Sequence, residues 1–224
     1  MSRFFRGFIP ERIPWFGVRL YDRIAAEAVS GFYREVALEI TTFMDRGYFL
    51  DIGSGPGFLP LALAGLAPEL KIVGVDLSRR MVRLARQRAL KARLADRVRF
   101  EVGDGNRLAF ADNTFDLVLS TGAFHSWRDP VRVLDEIHRV LRPGGEAWVY
   151  DPARIDTPQG RRILEEANGL DRWVVRWTSW ANQSSRDRSE AEVREIMARS
   201  RFGGGALESG AYNRLRLSKP AAPP

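Results

Sequence analysis

The chain has 224 residues and a formal net charge of +7, and its length fits one α/β domain with an appendage. The absence of cysteine excludes a disulfide framework, a thiolate metal site and a cysteine nucleophile. The longest apolar run, from Phe58 to Pro68, is far shorter than the ~20 residues that a membrane-spanning helix needs.

The basic charge would attract phosphate and so favours a nucleic-acid partner. Composition weakens this interpretation, because only Lys71, Lys91 and Lys219 of the 35 basic residues are lysines, and such an arginine excess can arise from coding bias alone. The densest basic stretch, Arg79 to Arg99, is predicted to be a surface helix with one buried face, and the apolar residues assigned to that face include Leu77. Nucleic acid therefore stays a less favoured partner.

Residues 1–20 combine arginines with aromatic and aliphatic side chains. They are expected to pack on another surface, either as a lid over a binding site or as a peripheral contact with a membrane. Pro10 and Pro14 interrupt this stretch before an apolar core of signal-peptide length can form, which favours a cytoplasmic protein.

Residues 20–46 have apolar positions near helical spacing, with an interruption around Gly31. This pattern predicts two helices joined at Gly31, or one helix bent there. We therefore assign residues 1–46 to an aromatic and basic segment with lid helices, and residues 47–224 to the core of one compact domain.

After Gly47 the pattern alternates between apolar strands and helical runs, which predicts βαβ units and a mainly parallel sheet with helices on both faces. Ligands of such sheets bind beyond the carboxyl ends of the strands. The predicted strands are Tyr48 to Gly53, Lys71 to Leu77, Val98 to Gly103, Phe115 to Thr121 and Glu146 to Tyr150; the helices are Leu59 to Leu66, Arg79 to Leu94, Val131 to Leu141 and Ser189 to Arg201.

The first strand runs into Asp51 and a turn with three alternating glycines, Gly53, Gly55 and Gly57. Glycine permits backbone angles that are closed to other residues and lets a ligand approach the main chain. A dinucleotide fingerprint fails because Phe58 stands where the third glycine should be, and Pro56 has no N–H to offer a pyrophosphate. The turn therefore predicts a ligand other than a dinucleotide or a triphosphate.

Carboxylates follow the next two strands. Asp76 ends the second strand, where it could accept hydrogen bonds from both hydroxyls of a ribose. Asp104 follows the third strand, where it could accept from an exocyclic amine of adenine or simply form a turn between Gly103 and Gly105. Ser78 is better explained as a helix N-cap than as a ligand contact.

The run D-x-G-x-G-x-G at Asp51 to Gly57 resembles motif I of the class I S-adenosylmethionine-dependent methyltransferases, and Asp129 to Gly145 is typical of their small-molecule branch, which includes quinone-biosynthesis methyltransferases. Gly144 and Gly145 are expected to close the helix of this segment and to turn the chain into the fifth strand. The resemblance implies an α/β, three-layer Rossmann-like fold with a mostly parallel seven-stranded sheet, closed by strands around residues 206–209 and 215–218 and covered by an N-terminal helical lid. Gly105 and Ala109 depart from the family's usual residues without affecting cofactor binding.

The resemblance also implies S-adenosyl-L-methionine as cofactor, with the glycine turn facing its methionine part, Asp76 its ribose and Asp104 its adenine. The residues expected to bind the cofactor are Asp51, Gly53, Ser54, Gly55, Gly57, Asp76, Leu77, Gly103, Asp104, Gly105, Asn106, Ser120 and Thr121.

His125 follows the fourth strand, in the loop where a methyl acceptor would approach. It is the candidate general base for an acceptor that must lose a proton, or it only shapes the pocket. Tyr21 and Trp127 are candidates for the wall of an acceptor pocket, although aromatic residues more often pack in the core.

Three functional classes stay open. The favoured one is methyl transfer from S-adenosylmethionine to a small-molecule acceptor by in-line displacement. The second is an RNA or other nucleic-acid methyltransferase, and the third is a non-catalytic cofactor-binding or regulatory protein. The sequence does not identify the acceptor.

Overall fold

The computed structural model describes residues 32–152, 188–208 and 212–222. The strands in these residues are β1 (Arg46–Ile52), β2 (Glu69–Asp76), β3 (Val98–Val102), β4 (Phe115–Thr121), β5 (Leu141–Pro152), β6 (Ala206–Glu208) and β7 (Tyr212–Ser218). The helices are α1 (32–43), α2 (Phe58–Leu66), α3 (Arg79–Lys91), α4 (Pro130–Val140) and α5 (Glu190–Arg199), and a short 3₁₀ helix covers Phe124–Ser126.

The strands form one seven-stranded sheet in the order β3-β2-β1-β4-β5-β7-β6. The first five strands pair in parallel, whereas β7 runs antiparallel to both β5 and β6. This confirms the predicted mostly parallel sheet and its two closing strands. The carboxyl ends of β1 to β5 consequently meet at one edge, and the candidate residues follow those ends.

Alternate residues of the strands enter two separate cores, one on each face of the sheet. In β1, Phe49 packs among the buried residues of α1, α2 and α3, and Leu50 packs among those of α4 and α5. This confirms three layers. The described part of α1 buries Val36, Ala37 and Ile40 in the same core as β1, so packing is continuous across the predicted boundary at residues 46 and 47.

Several predicted helix starts are confirmed by their caps. The Ser78 hydroxyl accepts a hydrogen bond from the Met81 N–H at 3.4 Å, and Ser189 and Glu192 form a reciprocal capping box at the start of α5. The α3 helix buries Val82, Ala85 and Ala89, while Leu77, which the sequence pattern placed on the buried face, is 64% exposed.

The sequence pattern predicted that Gly144 and Gly145 close α4, and this prediction is wrong. The helix ends at Val140, and β5 begins at once with Leu141. Pairing with β4 then shifts register, and Gly144 takes a left-handed φ of +81° within that irregular stretch. The glycines therefore serve a bulge in β5.

Other predictions fall outside the described residues: the basic and aromatic segment at 1–20, the interruption at Gly31 and the pocket candidate Tyr21. Within residues 32–152, 188–208 and 212–222, every helix is too short or too polar to cross a lipid bilayer.

Candidate functional site

The glycine turn is fastened to the neighbouring strand by main-chain hydrogen bonds. The N–H groups of Gly53 and Ser54 both donate to the Val75 carbonyl, at 2.8 and 3.0 Å. The N–H of Gly55 donates to Oδ2 of Asp76 at 2.9 Å. The turn after β1 and the carboxylate after β2 therefore form one unit.

Two glycines in this turn meet different surroundings. Gly57 has a φ of +84°, and a Cβ atom there would lie 2.6 Å from Cζ of Phe100, so the site is closed by packing as well as by backbone conformation. Gly55 has a φ of +50°, but a Cβ atom there would meet nothing within 4 Å. The surface of the turn at Gly55 is thus open to a ligand.

Asp76 uses both carboxylate oxygens to hold main chain. Besides Gly55, it accepts a hydrogen bond from the Ser78 N–H at 2.7 Å, through Oδ1. Two apolar side chains beside it are exposed: Leu77 by 64%, and Val102 of β3, which pairs with Asp76, by 48%. A carboxylate beside exposed aliphatic groups suits a ligand with both a hydroxylated and a flat apolar part.

Three buried side-chain oxygens near the carboxyl ends of β1 and β4 have no hydrogen-bond partner within the described part of the chain: Oδ1 of Asp51, Oγ of Ser54 and Oγ1 of Thr121. Buried polar atoms are normally paired, and leaving one unpaired costs roughly 1–3 kcal/mol. Unpaired oxygens grouped beside an open turn therefore indicate a place where a ligand supplies the partners.

Asp51 is only 2% exposed. Burial, and then the negative charge of Asp76, raise the pKa of Asp51 to about 8. Its carboxyl group is consequently mostly protonated at neutral pH in this environment, and a positive charge placed beside it would favour the ionised form.

The loop after β3 forms a tight turn. Oδ1 of Asp104 accepts hydrogen bonds from the N–H and the side-chain amide of Asn106, at 2.9 and 2.8 Å. Oδ2 of Asp104 makes no hydrogen bond to the described residues and faces none of these donors. A Cβ atom at Gly103 would lie 2.8 Å from Val75 and one at Gly105 would lie 3.2 Å from Ile52, so both glycines allow this loop to pack closely.

The two residues that end β4 differ. The Ser120 hydroxyl is fully buried and donates to the Ile52 carbonyl at 2.8 Å, which ties β4 to β1. Thr121, the next residue, is the one with the unpaired buried hydroxyl. Of the two, Thr121 is therefore the better placed to contact a ligand.

His125 lies in the 3₁₀ helix after β4, and its Nδ1 is 2.9 Å from Oδ1 of Asp151 near the end of β5. Their side chains are 11% and 16% exposed. A carboxylate accepts hydrogen bonds, so in the neutral ring Nδ1 carries the proton and Nε2 of His125, which bonds to no described residue, keeps its lone pair. The pair thus has the arrangement of an oriented imidazole base.

The structure does not place Trp127 at an open surface. Its side chain is 8% exposed and packs edge-on against Phe124, with ring centroids 5.2 Å apart. Trp127 belongs to the core on the α4 and α5 face, so its main contribution is packing.

Two residues near this edge were not selected from the sequence. Asp151 directly follows the predicted fifth strand, so the rule that selected Asp76 would have found it. Tyr33 of α1 stacks on Phe58 at 5.6 Å, and burial followed by the negative charge of Asp51 raises its pKa. No local pattern links Tyr33 to the glycine turn, because their proximity depends on how α1 packs.

Comparison with known proteins gives a consistent result. Residues 50–149 match the family described as methyltransferase domain. A demethylmenaquinone methyltransferase of Symbiobacterium thermophilum is 38% identical over 106 residues, covering 47% of this chain and 42% of that protein. A 27-O-demethylrifamycin SV methyltransferase of Amycolatopsis mediterranei is 36% identical over 126 residues, covering 54% and 46%.

The chain spans about half the length of the curated relatives it matches. Among solved structures, an S-adenosyl-L-methionine-dependent methyltransferase fold from Methanococcus maripaludis aligns with a TM-score of 0.74 and 23% identity, covering 96% of this chain and 99% of that one. This likeness shows that the two proteins share a fold.

Proposed function

We propose that residues 50–149, which match the methyltransferase-domain family, form a class I S-adenosylmethionine-dependent methyltransferase domain, and that the protein transfers a methyl group from S-adenosylmethionine to a small-molecule acceptor. The observation that carries the proposal is the group of unpaired buried oxygens on Asp51, Ser54 and Thr121 beside the open face of Gly55. These residues offer acceptors and space where the domain's cofactor would bind.

The residues fit the methionine part of the cofactor by charge. Asp51 presents a buried carboxyl whose ionised form is favoured by a cation, and an amino acid's ammonium group supplies one. The hydroxyls of Ser54 and Thr121 can accept or donate hydrogen bonds to the same polar end. The glycine turn lets main chain approach closely, since Gly55 has no side chain to displace.

The adenosine part fits the neighbouring strand ends. Each Asp76 oxygen already accepts one main-chain N–H and can accept a second hydrogen bond, so the carboxylate can receive ribose hydroxyls without releasing the turn. Leu77 and Val102 expose aliphatic surface on which a flat ring can lie. Oδ2 of Asp104 stays available to an exocyclic amine.

When bound, S-adenosylmethionine would supply an electrophilic methyl group on a sulfonium, as the donor for an in-line displacement by the acceptor. We assign to Nε2 of His125 the removal of the acceptor's hydroxyl or amine proton. Asp151 holds the imidazole through Nδ1 and stabilises the imidazolium that forms. Alignment in a dry site can contribute about 7–11 kcal/mol.

The test uses the whole chain and radiolabelled S-adenosylmethionine, presented with pools of small metabolites, lipids and RNA in separate reactions. We expect label in the small-molecule pool, and binding of S-adenosylhomocysteine by calorimetry. Label in RNA alone would show that the acceptor is a nucleic acid and not a small molecule. Cofactor binding with no transfer to any pool would favour a regulatory protein. No binding of S-adenosylhomocysteine would end the proposal.

A nucleic-acid acceptor is the second candidate, favoured by the net charge of +7 and by a groove of about 280 Å³ with Lys71, Arg97 and Arg99 in its lining. Arg97, however, donates to the main-chain carbonyls of Ala64, Ala67 and Pro68. The groove also lies toward the amino ends of β1 to β3, away from the glycine turn. Polynucleotide affinity that falls steeply with salt, together with label in RNA, would support this candidate.

A further inference from the structure

Arg188 contacts both ends of the 3₁₀ helix that carries His125. Its Nη1 donates to the Phe124 carbonyl at 2.9 Å and its Nη2 donates to the Trp127 carbonyl at 2.6 Å. The guanidinium carbon also lies 5.0 Å from the centroid of the Phe124 ring. His125 is therefore located between two carbonyls that share one guanidinium.

Support of this kind matters for a short 3₁₀ helix, because only three residues form it and i to i+3 hydrogen bonds are generally weaker in geometry than those of an α-helix. Its internal bonds join the Ser126 N–H to the Ala123 carbonyl at 2.9 Å and the Trp127 N–H to the Phe124 carbonyl at 3.1 Å. The planar fork of an arginine fixes two acceptors at once and makes charge-assisted bonds, about twice as strong as neutral ones.

Arg188 is itself held by α5. The next residue, Ser189, is the N-cap of that helix and forms its capping box with Glu192. Val193 and Met197 of α5 are buried in the core that also contains Phe124 and Trp127. Arg188 thus connects a well-packed helix to the short element that positions His125.

We propose that Arg188 is a positioning residue for His125: by bridging the Phe124 and Trp127 carbonyls it keeps His125 in its hydrogen bond with Asp151. The catalytic consequence rests on the proposed function. The effect on the geometry of His125 does not, so the two can fail separately.

The geometric test is nitrogen NMR of the imidazole rings, which is simple because the chain has two histidines. His138→Gln assigns the remaining signals to His125. In the native chain we expect His125 to be protonated at Nδ1, with a hydrogen-bonded proton shifted downfield. In Arg188→Ala this proton signal should broaden or disappear and the tautomer should become mixed.

Arg194→Ala is the matched control, since Arg194 lies exposed on α5, the helix that Arg188 precedes, and its removal changes the charge equally. It should leave the His125 signals unchanged. Arg188→Lys should restore them only in part, because one ammonium group does not reproduce the fork. If Arg188→Ala does not fold, the test uses Arg188→Lys alone. Native His125 signals in Arg188→Ala or in Arg188→Lys, whichever folds, would overturn the proposal.

The kinetic test uses the acceptor found in the transfer screen. Arg188→Ala should lower kcat by about 10-fold to 100-fold, because small misplacements of a catalytic group are costly, while S-adenosylhomocysteine affinity changes less than about twofold. Equal loss in Arg194→Ala would assign the effect to charge and overturn the positioning role. If the chain transfers no methyl group at all, the proposed function fails and the NMR result still decides the role of Arg188.

Discussion

The two sides of the candidate site differ in whether their polar side chains are already paired. On the glycine-turn side, defined by Asp51 to Gly57 with Asp76, a buried carboxyl and a buried hydroxyl have no partner among the described residues. On the histidine side, defined by His125, Asp151 and Arg188, the polar groups are already paired with one another or with main chain.

This difference suggests that one side binds the cofactor and the other holds the catalytic groups in a fixed geometry. Unpaired buried groups on the glycine-turn side cost stability until a ligand satisfies them, so this side favours ligand binding. Paired groups on the histidine side cost little reorganisation when a ligand arrives, so this side favours a fixed catalytic geometry. Variants on the first side should change cofactor affinity, and variants on the second should change turnover.

The largest effect is expected on the histidine side. His125→Ala should lower kcat by about 1,000-fold, because general base catalysis typically contributes 10²–10⁴-fold. Steady-state kinetics with the identified acceptor measures this, and calorimetry should show S-adenosylhomocysteine affinity changed by less than about twofold. His138→Gln is the matched control, since His138 packs edge-on against Phe202 away from Asp151. An unchanged kcat in His125→Ala would show that His125 is not the general base.

The next effect concerns stability on the glycine-turn side. Gly57→Ala should lower the free energy of unfolding by about 3 kcal/mol, because its Cβ would crowd Phe100 and the residue keeps a left-handed φ. Gly55→Ala should cost only about 1 kcal/mol, since it adds strain without a clash, and yet it should weaken S-adenosylhomocysteine binding. Urea unfolding compares the two, and equal losses would contradict the described packing.

Asp76→Ala should weaken S-adenosylhomocysteine binding by about 100-fold, because it removes charge-assisted hydrogen bonds to the turn and the proposed ones to ribose. Calorimetry measures the loss. Asp45→Ala is the control, since Asp45 pairs with Arg46 on the exposed surface. Undiminished affinity in Asp76→Ala would show that Asp76 does not bind the cofactor.

The smallest effect is the change in S-adenosylhomocysteine affinity over one pH unit. Cation binding beside Asp51 favours its ionised form, so S-adenosylhomocysteine affinity should rise by about tenfold per pH unit up to about pH 8 and then level off. Calorimetry in buffers of different ionisation enthalpy should show proton release, which Asp51→Asn should remove. Folding raises this pKa above its ordinary 3.8, so between about pH 4 and 8 the unfolded chain has released the Asp51 proton and the folded chain keeps it. The free energy of unfolding should therefore fall as the pH rises through this range.

Much of this could be predicted from sequence because the signals are local. Alternation of apolar residues placed the strands, the glycines marked the turn after β1, and Ser78 and Ser189 marked helix starts. Asp76 followed from its position at a strand end. The role of Gly144 was misjudged because a strand bulge and a helix end look alike in a short glycine-rich stretch.

The sequence by itself indicated the order of strands and helices along the chain, the edge of the sheet where the candidate binding residues gather and, through the family resemblance, the class of cofactor to expect. Only the tertiary structure decided that Oδ1 of Asp51 is buried with no partner among the described residues, that His125 meets Asp151 26 residues away, and that Arg188 reaches back across more than 60 residues to the same loop. The reason is physical: strand and helix signals depend on neighbours in sequence, whereas burial and long-range hydrogen bonds depend on neighbours in space.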